Sequence, residues 1–417
     1  MKQHPLIQTL LNLRGNSKAC VLTEPLWGIP YNLLGPYISV YMLALGVKDS
    51  QIGLIATIGM ISQIIFSLLG GAVTDKLGRR YTTFIFDFIC WTVPALIWAF
   101  SKNFYYFAAA AILNGTMRIT MNSWNCLLVE DCDKKQIVNI YTWIYIAGLG
   151  AAFFSPLSSI FVKNYGMVPT VRVLYLIFSG VMAVKIYLTF RYTTETGPGR
   201  IRMDETKHLS LGEVLGGYGG VVRKLLKTPE TLLTLGLMIV MSIINMVNSN
   251  FWSIAITERI HLPENYLGLF PFLKSIVMLI LFFTVIPRIN ALRFKRPLVL
   301  GFMTFGISQL IVIFAPDKGL IFIIGSIILE ACGISIISPL LDSLQVVLVD
   351  VRERARVMAV LYVIVLAVTS PFGALAGELS EIDRRLPFVL NIALLICGVI
   401  LTYFSAAASR YKQSIKQ

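Results

Sequence analysis

Long apolar stretches recur along the chain and leave few folds open to it. A run of about 20 apolar residues is long enough to cross a bilayer as a helix. About twelve such runs follow one another, near residues 19–46, 50–73, 81–100, 104–127, 137–162, 168–190, 229–255, 265–286, 297–315, 319–346, 356–378 and 386–408. Only 14% of the 417 residues are charged, against roughly 25% in soluble proteins. The sequence therefore predicts an all-α polytopic membrane protein.

The longest connector divides these runs into two sets of six. The second set repeats local features of the first: Ser155-Pro156 in the fifth run corresponds to Ser370-Pro371 in the eleventh. Such internal repeats are typical of membrane transporters. We predict two pseudo-symmetric six-helix bundles joined by a linker, with boundaries at 1–192, 193–228 and 229–417.

Basic residues are concentrated in alternate connectors. The net charge is +14, and the Lys and Arg residues lie in short loops between apolar runs, where they indicate membrane topology rather than nucleic-acid binding. Their distribution places both termini and the linker on the cytoplasmic side. Short loops without a large extracellular domain favour a multi-pass protein of a bacterial inner membrane.

The chain carries no convincing signal of enzyme chemistry. Its three histidines and six cysteines show no metal-ligand spacing, and no phosphate-binding glycine loop is present. We therefore expect no enzyme activity, no metal and no cofactor.

One connector, between the second and third runs, combines glycines, a carboxylate and basic residues in a distinctive order. Its marked positions are Gly71, Asp75, Lys76, Gly78, Arg79 and Arg80. This pattern resembles the G-x-x-x-D-K/R-x-G-R-R/K signature of the major facilitator superfamily. The resemblance implies a monomer with two six-helix bundles, one central site and alternating access.

The same resemblance implies a role for the loop. It would clamp the cytoplasmic face, so Asp75, Arg79 and Arg80 would form a gate that breaks and reforms in each cycle, without binding substrate. The alternative is a solvated basic turn.

Substrate and coupling groups are expected among the polar residues inside the spans, because an intramembrane charge is costly and is seldom kept without a function. The charged candidates are Glu24, Asp87, Arg118, Lys185, Lys274, Glu330 and Asp342. Glu330 has Lys274 and Arg118 as possible partners.

Arg118 is the leading candidate because it falls near the middle of the fourth span. Asn114, Arg118, Asn122 and Asn125 share one helical face. An Arg among amides suits an anionic or polyhydroxylated ligand, or a buried carboxylate.

Three further spans carry polar faces. In the resembled family these helices, like the fourth, line the central cavity. Their candidate residues are Tyr31 in the first span, Asn245 and Trp252 in the seventh, and Glu330 and Asp342 in the tenth.

Glu24 is the candidate for energy coupling, because a carboxylate in a partly dry cavity can take up a proton from one side and release it to the other. Thr23-Glu24-Pro25 also fits a helix start, with Thr as the cap and Glu favoured by the helix dipole. Both interpretations stay open here.

The predicted function is secondary transport of a small polar or anionic solute, coupled to protons or another ion. A proton-driven exporter of amphipathic compounds is the alternative. The fifth span, at 151–159, has small residues where exporters of the family carry glycines, so the direction of transport stays open. A receptor or scaffold that does not transport would need no intramembrane charges and is less favoured.

Overall fold

A computed structural model describes residues 5–133, 136–208, 229–284, 294–347 and 354–404. Within these ranges the chain forms helices and connectors and no β-strand. The helices of the first half are α1 (Pro5–Asn12), α2 (Gly15–Leu34), α3 (Ile38–Ala44), α4 (Asp49–Leu77), α5 (Arg79–Asp87), α6 (Val93–Ala99), α7 (Phe104–Asn114), α8 (Met117–Val129), α9 (Ile137–Ala151), α10 (Pro156–Tyr165), α11 (Met167–Tyr192) and α12 (Gly197–Thr206). Those of the second half are α13 (Pro229–Glu258), α14 (Phe270–Thr284), α15 (Lys295–Phe314), α16 (Leu320–Val347), α17 (Arg354–Ile382) and α18 (Leu386–Phe404).

In the described part of the chain, ten helical segments are long and apolar enough to cross a membrane. This confirms the all-α polytopic class and agrees with about twelve spans. The two predicted spans outside these ten are the first and the fourth, which are each interrupted.

Both interruptions have a local cause. The first span changes from α2 to α3 through a 3-10 turn at Gly35–Tyr37, where Pro36 lacks the N–H that a continuous helix needs. The fourth span divides into α7 and α8 at Gly115, which packs directly on the side chain of Ser62 and leaves no room for a Cβ. Both interruptions lie inside the segments 19–46 and 104–127 that are predicted as the first and fourth spans.

The described residues cluster into two compact units. The first comprises those of 1–37 and 58–216, and the second those of 38–57 and 217–417. Segment 38–57, predicted in the N-terminal bundle, thus packs with the second unit. The predicted linker begins with α12, whereas its residues 209–228 lie outside the described residues.

In the first unit, α2 is the central element. It packs against α8, α9 and α11, while α5 packs against α8. Cys20 and Val21 of α2 join Leu127, Leu128 and Ile140 in one buried apolar cluster. This packing brings the polar middle of α2 next to α5, α8 and α11.

In the second unit, α15 packs against α16 and α18, and α13 packs against α17 and α18. The start of α4 joins this unit through glycines: a Cβ on Gly53 would overlap the backbone of Gly373 and Gly377. Close backbone approach through small residues is a common way for membrane helices to associate. Asp49, at the same helix end, accepts a hydrogen bond from Ser380 Oγ at 2.6 Å.

Candidate functional site

Three ionisable side chains meet inside the first unit. Lys185 Nζ of α11 lies 3.7 Å from Glu24 Oε2 of α2, and the two side chains are only 6% and 13% exposed. Lys185 also interacts electrostatically with Asp87, the last residue of α5. Asp87 Oδ1 accepts a hydrogen bond from Thr120 Oγ1 at 2.8 Å. We call Glu24, Asp87 and Lys185 the charged triad.

The local fold explains how Asp87 reaches this position. A wide π-helical turn, Phe88–Thr92, follows it directly, and such turns are frequent at functional sites. Asn114 Nδ2 donates to the carbonyl of Cys90 within this turn at 2.8 Å, and Ser179 Oγ donates to the carbonyl of Thr92 at 3.1 Å. Asn114, predicted to contact substrate, therefore supports the turn that presents Asp87.

A cavity of about 210 Å³ adjoins the charged triad. Its other lining residues are aromatic, thioether or hydroxyl side chains: Trp27, Trp91, Met117, Thr120, Met121 and Trp124. Trp27 stacks on Tyr31 with ring centroids 4.9 Å apart, and the Trp124 ring lies 5.9 Å from Lys185 Nζ. Tyr31, a predicted site residue, thus packs on the lining residue Trp27.

Some polar atoms of this wall make no hydrogen bond, although one of them, Glu24 Oε2, faces Lys185. Among the described residues, Glu24 Oε2, Trp27 Nε1 and Trp124 Nε1 are buried without a hydrogen bond. Buried polar groups are normally paired, so two donors and one acceptor at the same cavity can serve a ligand or a water molecule.

The charges of the triad do not balance when both carboxylates are ionised. Two negative groups then face one lysine, and an uncompensated buried charge is expensive. One proton, or one cationic group of a ligand, restores neutrality. The triad can therefore hold and release a single positive charge.

Arg118 sits on α8, the same helix as four cavity residues, Met117, Thr120, Met121 and Trp124. Its Nε donates to Gln63 Oε1 at 2.9 Å, and its Nη1 lies 3.7 Å from Met121 Sδ. The nearby Asn122 is exposed. The predicted polar face of the fourth span thus borders the cavity, while Glu24 and Asp87 contact it directly.

The second unit contains a separate buried ion pair. Lys274 Nζ lies 2.6 Å from Glu330 Oε1, and the Glu330 side chain is 8% exposed. Of the two partners considered for Glu330, the structure selects Lys274. Trp252 packs edge-on against Phe270 with centroids 5.4 Å apart.

Two other predicted residues of this unit are less informative. Asn245 is exposed on α13. The side chain of Asp342 lies outside the described residues.

The predicted gate loop is the tight turn that connects the end of α4 to the start of α5. Gly71 and Lys76 lie in the last two turns of α4, and Gly78 has φ +81°, a conformation that favours glycine. Arg79 Nη1 lies 3.0 Å from Asp75 Oδ1, and Arg79 Nε lies 3.2 Å from Glu130 Oε2.

The second arginine of the loop binds the end of α11. Arg80 Nη2 donates to the carbonyl of Phe190 at 2.8 Å, and its guanidinium lies 4.0 Å from the centroid of the Phe190 ring. The loop therefore fastens α4, α5, α8 and α11 together within the first unit.

A segment after α11 completes this cluster. Arg202 of α12 lies 2.9 Å from Asp75 Oδ2 and 2.8 Å from Glu205 Oε2. Hydrogen bonds to Asp75 and then to Glu205 raise the pKa of Arg202, so it stays charged. Glu195 also binds the loop. The sequence does not predict a role for either Arg202 or Glu195, because the composition of a polar connector does not indicate which surface it will contact.

Comparison with known proteins identifies the architecture. A family model described as Major Facilitator Superfamily matches residues 27–374. The chain belongs to this superfamily. The recognition based on the loop at 71–80 is thereby confirmed.

Solved structures of transporters share the superfamily fold. A mutant of the nucleoside transporter NupG is 13% identical in sequence to this chain. The match covers 94% of this chain and 100% of the NupG chain, with a TM-score of 0.72. A peptide transporter POT in complex with sulfate is 14% identical. The match covers 98% of this chain and 99% of the POT chain, with a TM-score of 0.68. At these identities the likeness concerns the fold alone.

A curated relative matches a shorter segment. The quinolone resistance protein NorA of Staphylococcus aureus is 31% identical over 83 residues, which cover 20% of this chain and 21% of NorA. The matched segment thus spans about a fifth of that relative. Together, the family and the fold are those of multi-pass membrane transporters.

Proposed function

We propose that this superfamily member is a secondary active transporter that couples proton movement to the movement of a small solute by alternating access. The observation that carries the proposal is the charged triad, in which two buried carboxylates and one lysine line the same cavity. A group of this kind is stable with one added proton and costly without it. We therefore expect the triad to take up or release a proton when the cavity changes the side of the membrane to which it is open.

Glu24 is the proposed proton carrier within the triad. Its Oε2 has no hydrogen-bond partner among the described residues, whereas Asp87 Oδ1 accepts a hydrogen bond from Thr120. A proton on Glu24 leaves the charge of Lys185 balanced by that of Asp87, with which Lys185 interacts electrostatically. The helix-cap alternative for Glu24 loses support, because α2 begins at Gly15, more than two turns before it.

The solute proposed first is small and polar or anionic. Arg118 next to the cavity supports a negative group, and the indole donors of Trp27 and Trp124 support hydrogen-bond acceptors on the solute. A flat ring fits between the aromatic side chains, because aromatic rings favour stacked and edge-on contacts.

Export of amphipathic compounds is the second candidate. Three tryptophans and two methionines line the cavity, and such apolar, adaptable walls suit varied hydrophobic ligands. The partial match to a protein named for quinolone resistance points the same way. In this case the solute and the proton would move in opposite directions.

The setting proposed for either function is the same. The chain would act as a monomer in a bacterial inner membrane, with both termini in the cytoplasm. Its partners would be the solute, protons or another ion, and the lipid bilayer.

Flux measurements in liposomes test the proposal. Purified protein is assayed with a panel of sugars, organic acids, amino acids and dyes, with and without a proton gradient. We expect gradient-driven accumulation of one class, and loss of this accumulation in Glu24→Gln while downhill exchange persists. Asp317→Asn, which alters an exposed carboxylate, is the matched control. Full gradient-driven accumulation by Glu24→Gln would contradict the assignment.

A further inference from the structure

Residues 194–206 cross the gate loop at 71–80 and are fixed at their start; we call them the strap. Asn16 holds the backbone of Thr194 from both sides, accepting from its N–H at 2.8 Å and donating to its carbonyl at 2.9 Å. Thr196 caps α12 by accepting the Gly199 N–H at 2.9 Å. The strap is therefore an ordered element that begins at a defined place on the first unit.

Glu195 binds the gate loop through its backbone. Its carboxylate accepts the N–H groups of Arg79 at 2.9 Å and Arg80 at 3.0 Å. These are the first two residues of α5, whose own cap position, Gly78, has no side chain. A carboxylate at a helix N-terminus satisfies free N–H groups and the helix dipole. Glu195 thus supplies the cap that α5 lacks.

A side chain at position 78 would meet the strap. A Cβ there would lie 2.5 Å from Glu195 Oε2 and 2.6 Å from Met203 Sδ, so the ends of these two flexible side chains would have to shift. The positive φ of Gly78 is the feature that favours glycine here.

Arg202 makes a different kind of contact. The two oxygens of Asp75 are divided between Arg79, which is 8% exposed, and Arg202, which is 48% exposed. The inner pair is sheltered, whereas the outer one is open to solvent and to salt. Exposed ion pairs are weak and screened, so Arg202 is the contact that separates most easily.

We propose that the strap is a releasable restraint on the cytoplasmic gate, in which Glu195 positions the loop and Arg202 holds its carboxylate between transport steps. The inference rests on the proposed alternating access and on the gate role of the loop that the resemblance to the superfamily implies. Asp75 becomes available to any other partner only when Arg202 leaves Oδ2. Release of the outer ion pair is therefore a step that a change of the gate requires.

Hydrogen–deuterium exchange tests the restraint without any transport assay. In protein reconstituted into nanodiscs, we expect Arg202→Gln to speed exchange of the α12 amides by about two- to fivefold, the range of a weak exposed ion pair. High salt should produce the same change in the wild type. Arg200→Gln, which alters an exposed charge of the same helix, should have no such effect, and Arg202→Lys should restore most of the protection. Equal exchange in Arg202→Gln and wild type would overturn the proposal.

Transport rates then test the link to the cycle. With any solute that the wild type moves, we expect Arg202→Gln to raise the rate at low ionic strength and to lose the salt response. Faster α12 exchange with an unchanged transport rate would show that the strap opens without limiting the gate, and would overturn that link. If the wild type moves no solute, the exchange result still decides whether the restraint exists, so the two failures are distinguishable.

Discussion

Lys185 lies 3.7 Å from Glu24 across the packed faces of α11 and α2, with both side chains nearly removed from solvent. The hydroxyls of Thr23, next to Glu24, and of Thr189, one turn after Lys185, lie 3.1 Å apart and join the same two helices. The polar contacts of the cavity wall are therefore also contacts that hold the first unit together. Changes in the charged triad should be visible in stability as well as in transport.

Lys185→Met should destabilise the first unit strongly. It leaves Glu24 and Asp87 as buried carboxylates without a cation, and breaking a buried pair in this way costs about 3 to 5 kcal/mol when the remaining charge is not neutralised. Thermal unfolding of the purified protein measures the loss. Lys102→Met, at an exposed lysine, is the control.

A double variant separates charge from packing in that result. Lys185→Met combined with Glu24→Gln leaves one carboxylate instead of two, and should recover part of the lost stability. If the double variant is no more stable than Lys185→Met alone, lost packing rather than unpaired charge explains the effect.

The sequence predicts the transmembrane scaffold well, because the features that determine it are short, contiguous segments. Apolar run length indicates the membrane spans, and the loop at 71–80 identifies the superfamily. Hydropathy alone does not locate the breaks at Gly35–Tyr37 and Gly115, because it does not detect a change of helix type.

The site was predicted only in part, because pairing depends on packing between distant segments. Glu24, Asp87 and Lys185 each stand out as intramembrane charges, yet nothing local indicates that they meet. Arg118 is the leading candidate in the sequence because of its central position. In the structure its guanidinium contacts Gln63 and Met121, and Arg118 is not among the residues that line the cavity. The site residues of both units stay predictions.

Gly53→Val should disrupt the second unit. The added side chain would meet the backbone of Gly373 and Gly377, which cannot move aside as a flexible side chain could. Overpacking of this type costs about 1 to 3 kcal/mol, and thermal unfolding should show it. Gly325→Ala, where a Cβ meets no atom within 4 Å, should leave stability near that of the wild type. Similar losses in both variants would contradict the close packing.

Glu195→Ala should loosen the gate loop more than any change at Arg202. It removes the acceptor for the first two N–H groups of α5, and loss of a helix cap costs about 1 kcal/mol. Amide exchange should rise at the start of α5 in this variant, whereas in Arg202→Gln it should rise mainly in α12. Protection of the α5 start that is unchanged in Glu195→Ala would show that water replaces the cap.

Two substitutions on α8 distinguish the candidate solute classes. Arg118→Ala removes the cation that supports an anionic solute, whereas Trp124→Ala removes an aromatic wall of the cavity. For a polar or anionic solute, Arg118→Ala should lower gradient-driven flux at least tenfold, as expected for a lost charged hydrogen bond of about 1.5 to 3 kcal/mol. For amphipathic export, Trp124→Ala should be the damaging change, and dye efflux should survive Arg118→Ala. Both residues lie on α8, so either substitution could disturb the helix itself. Circular dichroism and thermal unfolding of each variant control for this. Dye efflux that needs Arg118 and tolerates Trp124→Ala would argue against the aromatic wall as the binding surface.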